Sequence, residues 1–115
     1  MQVPVQITFR GIPPSEALEE HIRDRIEKLE RQYPQMRSCR VVAELPHQRK
    51  SRRGHLTLRV EIGVPGGQIV VNQDQHHDLY VALRDAFHAA SRQLDEHAAR
   101  MRRDVKKHSV SGNGE

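Results

Sequence analysis

Apolar and polar positions alternate from the first residues of the chain. Val3, Val5, Ile7 and Phe9 are separated by Pro4, Gln6 and Thr8, the two-residue period of a half-buried strand. Pro4 cannot donate a ladder hydrogen bond, which places it near a strand start or on a free edge. After GIPPS the period changes: Leu18, Ile22, Ile26, Leu29 and Tyr33 recur at three- and four-residue intervals and trace one face of a helix of about five turns. Pro14 and Ser15 mark its start, Glu16, Glu19 and Glu20 suit the positive end of its dipole, and Pro34 stops it.

Period two then returns. Cys39, Val41, Ala43 and Leu45 share one face of a second strand, with Arg40 and Glu44 on the other, before Pro46. Leu56, Leu58, Val60 and Ile62 alternate with Thr57, Arg59 and Glu61 in a third, and VPGG (64–67) turns the chain into a fourth, QIVVN. Asp78 is the expected N-cap of a last helix with the apolar stripe Leu79, Leu83, Ala86, Phe87, Ala90, Leu94, Ala98 and Met101. The predicted order is β-α-β-β-β-α, an α+β fold with a four-stranded mixed sheet. A right-handed crossover makes the first two strands parallel neighbours, and the short later connections favour antiparallel pairing. With both helices on one face, the other face carries Gln6, Thr8, Arg40, Glu44, Thr57, Arg59 and Glu61 and stays open. Residues 1–105 read as one domain, and 106–115, ending HSVSGNGE, as a flexible polar tail.

Charge narrows the function. The chain has 115 residues, 19 Lys+Arg against 15 Asp+Glu, a formal charge of +4 and a pI near 9.7, a balance that favours an anionic partner such as nucleic acid. The last helix gathers Arg84, His88, Arg92, Arg102, Arg103 and Lys106 within an arc of about 100° away from its apolar stripe, interrupted by Asp85, Asp95 and Glu96. His21, Arg25 and Lys28 follow one flank of the first helix, and HQRKSRRGH (47–55), between the second and third strands, adds Arg49, Lys50, Arg52 and Arg53. Each phosphate that these cations neutralise would steepen the salt dependence of binding.

Other chemistries find less support. Aromatic residues make up 3% of the chain; with Phe9, Tyr33 and Phe87 assigned to the core, no stacking platform for single-stranded bases is expected, and folded RNA is the better ligand. The lone Cys39 excludes an internal disulfide and a multi-thiolate metal site. Among eight histidines, His76 and His77 are adjacent and none shows metal-ligand spacing with a glutamate base. His97 reads as a packed histidine, and no acid/base pair or phosphate loop announces an enzyme. No cofactor, metal or membrane partner is expected, and the absence of a leader pattern or long apolar run predicts a cytoplasmic protein.

The segments QVPVQITFRGI, SEALEEHIRDRIEKLER, VEIGVPGGQIVVN and, above all, DLYVALRDAFHAASRQLDEH resemble the ribosome hibernation-promoting factor family, also called sigma-54 modulation proteins or ribosome-associated inhibitors. The similarity covers about residues 2–105. It implies a fold like that of double-stranded-RNA-binding domains, with two helices against one face of a four-stranded sheet, and no catalysis. It also implies a place in the small-subunit channel of mRNA and tRNA, contacts from basic side chains to rRNA, and inhibition of translation under stress. Arg84, His88 and Arg92 lie in the segment matching the family's last helix, and Arg25 and Lys28 in that matching its first. Long members add a second domain that pairs ribosomes; this chain, ending at Glu115, resembles the short form. An alternative role, suggested by the family's older name, is regulation through a protein partner. A free sheet edge leaves room for weak homodimerisation.

Overall fold

The computed structural model describes residues 3–45, 56–76 and 78–114, with side chains for all of these except 75, 76 and 104–114. Its elements follow the predicted order: β1 (Val5–Arg10), α1 (Glu16–Gln32), β2 (Ser38–Glu44), β3 (Leu56–Val64), β4 (Gly67–His76) and α2 (Leu79–Gly114). The sheet order is β1-β2-β3-β4. β1 runs parallel to β2 with Ile7 opposite Val41, and β2–β3 and β3–β4 are antiparallel, with Val41 opposite Val60 and Val60 opposite Val71.

Local chemistry sets the element ends. The Ser15 hydroxyl accepts from the Leu18 amide at 3.2 Å, and the Asp78 carboxylate accepts from the Tyr80 amide at 2.9 Å. Each satisfies a donor that the first helical turn cannot pair internally. At the end of β1, Gly11 has φ 72°, and a side chain there would collide with the Leu45 carbonyl; only glycine accepts both demands. Gly66, with φ 85°, supplies the left-handed residue that turns β3 into β4.

One apolar layer joins the sheet to both helices. Cys39, Val41, Ala43, Leu58, Val60, Ile62 and Val71 from the strands meet Ile22, Ile26 and Leu29 of α1 and Leu83, Phe87, Ala90 and Leu94 of α2. Burial raises the Cys39 thiol to about 12, so it acts as a small core hydrophobe rather than a nucleophile. His97 is the packed histidine that the sequence suggests: its Nε2 lies 3.0 Å from the Pro65 carbonyl oxygen, and its ring stands edge-on to Tyr33. The opposite face of the sheet is polar, and β1, with Val5, Ile7 and Phe9 only half-buried, is one of its edges.

Two elements run past their sequence-based bounds. β4 continues beyond QIVVN to His76, because β3 remains available to pair as far as Leu56 opposite His76, across an irregularity between Leu56 and Leu58. The α2 backbone stays helical through 106–114, the stretch read above as a polar tail. Once a helix is nucleated, each further residue adds one hydrogen bond for one residue fixed.

Candidate nucleic-acid interface

The two helices lie side by side on the sheet and run in the same direction. His21 of α1 meets Tyr80 of α2 near their N-terminal ends, with ring centroids 4.9 Å apart. Eleven positions further along each helix, the Ser91 hydroxyl donates to Gln32 Oε1 at 2.7 Å, and Gln32 Nε2 donates to the Ser91 carbonyl at 3.1 Å and to Asp95 at 3.0 Å. These contacts close the two ends of a groove whose floor is Leu29 and Phe87.

Arg25 and Lys28 stand on one wall of the groove, and Arg84 and His88 on the other. The sequence explains the convergence. Positions 21, 25, 28 and 32 form one flank of α1, and 80, 84, 88 and 91 one flank of α2, each beside the apolar stripe that packs on the sheet. Among the described residues no carboxylate lines the groove. Arg84 reaches outward to Asp85 at 3.2 Å while its side chain remains 62% exposed; such an exposed pair contributes little and is easily exchanged for a ligand.

Arg25 is held differently. Its Nε–H donates to His21 Nε2 at 3.2 Å, so that imidazole nitrogen carries no proton. Burial, and then the Arg25 charge, hold His21 below the usual imidazole range, with Lys28 adding to the depression and Asp24 opposing it. A neutral imidazole orients the guanidinium without cancelling its charge. The groove encloses about 210 Å³, less than the roughly 300 Å³ at which small-molecule pockets begin. This is a charged surface channel suited to an extended anionic ligand.

The remaining sequence candidates lie elsewhere. Arg92 is exposed and lines a separate hollow over β4, with Glu96, His97, Arg100, Gln68 and Val70. The helix turns about 40° with each four-residue step, which carries Arg92 away from the Arg84 flank; the stripe Arg84, His88, Arg92 is thus split between two surfaces. Arg102 and Arg103 are exposed, about one turn beyond Ala98, the last α2 residue packed against the core. Arg49, Lys50, Arg52 and Arg53 lie outside the described residues, as does the Lys106 side chain. Sequence reasoning missed Tyr80, which has 49% of its surface exposed. Its neighbours Leu79 and Leu83 mark the core stripe, and a position one residue away from that stripe signalled an aromatic ring on the groove flank.

A profile of the family described as Sigma 54 modulation protein / S30EA ribosomal protein matches residues 5–102. The chain belongs to this family. The match covers every strand and α1, and α2 through Arg102, so both walls of the groove lie inside the family's shared region. A ribosome hibernation promoting factor of Acinetobacter guillouiae is 31% identical over 99 residues, covering 81% of this chain and 87% of that protein. A ribosome hibernation promotion factor of Deinococcus radiodurans is 28% identical over 90 residues, covering 77% of this chain but 46% of that protein. The chain therefore spans about half the length of the Deinococcus relative.

Solved structures give the same architecture. A ribosomal subunit interface protein from Coxiella burnetii superposes with a TM-score of 0.71 at 16% identity, covering 84% of this chain and 99% of that one. The N-terminal domain of Protein Y from Thermus thermophilus gives 0.68 at 19% identity, covering 83% and 98%. At these identities the likeness establishes the fold. Among the described residues no helix is long and apolar enough to cross a membrane, and no group of three or more His, Cys, Asp or Glu side chains is placed to hold a metal ion.

Proposed function

We propose that the protein is a non-catalytic ribosome-associated factor that binds small-subunit rRNA in the mRNA/tRNA channel and lowers translation, promoting ribosome hibernation under stress. The observation that carries this reading is the groove, where Arg25, Lys28 and Arg84 converge without a lining carboxylate on a family fold whose relatives are named for ribosome hibernation. A rigid wedge bearing weakly compensated cations competes with mRNA and tRNA by occupying sites that recognise the same phosphate chemistry.

Within this reading, Arg25, Lys28, Arg84 and His88 form the central contact. Arg92, Arg102 and Arg103, with Arg49, Lys50, Arg52 and Arg53, supply flanking phosphate contacts. Residues 1–105 are the binding unit and 106–115 an appended tail. The protein acts in the cytoplasm, where ribosomes are, and the half-buried β1 edge allows a weak homodimer.

The test is co-sedimentation with purified small subunits across a salt series, together with sucrose-gradient profiles of stationary-phase cells with and without the protein. Salt-sensitive association with small subunits, and a shift of the ribosome profile when the protein is removed, are expected. Retention on a protein after nuclease treatment, without small-subunit binding, would replace this reading with regulation through a protein partner.

A further inference from the structure

Tyr80 is the large hydrophobic side chain that the described residues leave exposed, at 49%. Neither the core nor the helix accounts for it. Leu83 of the same helix is completely buried in the sheet-facing layer, and Leu79 packs against that layer. Tyrosine is also an ordinary residue by helix propensity, so the first turn of α2 has no need of one. The ring is nevertheless fixed in place: His21 stands against it at 4.9 Å with the planes 73° apart, an edge-to-face arrangement favoured by the ring quadrupoles. The contact leaves about half of the residue's surface in solvent.

Its surroundings are cationic. One turn along α2 stands Arg84, and across the groove Arg25 is tethered to the same His21 that supports the tyrosine. A half-bare ring, buttressed on one side and flanked by guanidinium groups, has the components of a nucleotide site: a π-face for a base and positive charge for the backbone beside it.

We propose that Tyr80 is a stacking platform for one unpaired RNA base at the N-terminal end of the groove, with Arg84 and Arg25 holding the adjoining phosphates. The proposal rests on the rRNA-binding reading and deepens it. The groove then selects RNA that presents a splayed-out nucleotide beside a phosphate run, over continuous duplex in which every base is stacked internally. It also amends the inference from composition that no stacking platform exists, because one aromatic remains after the core is filled.

Stacking and phosphate contacts leave different signatures in a salt titration. Loss of a phosphate contact changes the slope of log affinity against log salt, whereas loss of a stacking contact lowers affinity equally at every salt concentration. Wild type, Tyr80→Phe and Tyr80→Leu are therefore titrated against purified small ribosomal subunits, with Lys28→Glu as the phosphate-contact control. Tyr80→Leu is expected to bind about 5- to 100-fold more weakly with an unchanged slope, and Tyr80→Phe to bind like wild type. Lys28→Glu should flatten the slope.

Wild-type affinity in Tyr80→Leu, or a loss accompanied by a flattened slope, overturns the proposal. So does a defect present on intact subunits but absent on deproteinised small-subunit rRNA, which would assign Tyr80 to a ribosomal protein. Absence of wild-type binding to subunits would instead refute the ribosome reading. A single-stranded oligoribonucleotide and its abasic counterpart then decide the stacking site: preference for the base-bearing strand that disappears in Tyr80→Leu sustains it, and equal binding of the two strands overturns it.

Discussion

The inter-helix groove and the open face of the sheet both display arginines, on opposite sides of the molecule, yet the two surfaces are electrostatically different. On the sheet, Arg40 and Arg59 both pair with Glu61, whose side chain is only 17% exposed, and Arg59 also reaches Asn72 at 3.5 Å. In the groove, Arg25 pairs with a neutral imidazole, and Lys28 stands in a wall that contains no carboxylate. Counting cations alone would rank the surfaces as similar. The kind of partner separates them. On the sheet two guanidinium groups share the mostly covered Glu61. In the groove Arg84 holds the more exposed, easily exchanged Asp85 and Arg25 keeps its full charge beside a neutral imidazole, so the set can still attract an outside anion.

Charge reversal gives the largest expected contrast. The double variant Lys28→Glu/Arg84→Glu should lower small-subunit affinity by about 100-fold or more near physiological salt and flatten the salt slope by about 1.4 to 1.8. The matching sheet-face variant, Arg40→Glu/Arg59→Glu, should bind within a few-fold of wild type, as expected for cations outside the interface. Equal losses in the two variants, measured by co-sedimentation, would erase the distinction between the surfaces.

Glu61→Gln attacks the same distinction from the other side by freeing Arg40 and Arg59. Binding to unstructured RNA should become a few-fold tighter and more salt-dependent, because up to two cations are released for phosphates. Urea unfolding should show a stability loss of about 1 kcal/mol or less, the usual scale for partly exposed ion pairs. An unchanged salt slope would mean that Glu61 does not restrain the sheet-face charge.

The smallest expected effect follows pH. His21 is depressed in the folded state by burial and by Arg25, so below its ordinary value of about 6.5 the unfolded chain binds a proton that the folded chain resists. The associated stability is complete above that value and is lost as pH falls through it. Urea midpoints at pH 7.5 and 5.5 should therefore differ more for wild type than for His21→Gln; an equal pH dependence would show that His21 is not held neutral. Protonation also removes the acceptor for Arg25, so the groove should lose its orienting contact over the same range.

Periodicity made most of the fold readable in the sequence. Val3 to Phe9 and Leu56 to Ile62 repeat every two residues, and Leu18 to Tyr33 every three or four. A buried face must repeat with its own backbone geometry, so these patterns identify both the element and its inward side. Ser15 and Asp78 marked helix starts because their side chains pair orphan amides that no backbone acceptor reaches. β4 was less readable past Asn72, since Gln73, Asp74 and Gln75 carry no apolar signal and the strand continues through pairing with β3.

The candidate site was readable in its parts but not in its assembly. Arg25, Lys28, Arg84 and His88 could be placed on helix flanks by counting residues. Their convergence depends on the two helices lying parallel on one sheet face, which brings His21 to Tyr80 and Gln32 to Ser91. The same packing sends Arg92 to the β4 side and leaves Tyr80 half-bare, distinctions finer than the arc of about 100° that a helical projection offers.

The sequence by itself determined the element order, the inward faces, the caps and an excess of positive charge, because each is a local property of spacing and residue type. Only the tertiary structure decided which charges converge on one groove and which carboxylate is shared across two strands. Arg25 reaches His21 and Arg59 reaches Glu61 within single elements. Arg40 meets Glu61 only through the β2–β3 register, and Arg84 shares the groove with Lys28 only through helix packing, because electrostatic interaction follows distance in space rather than distance along the chain.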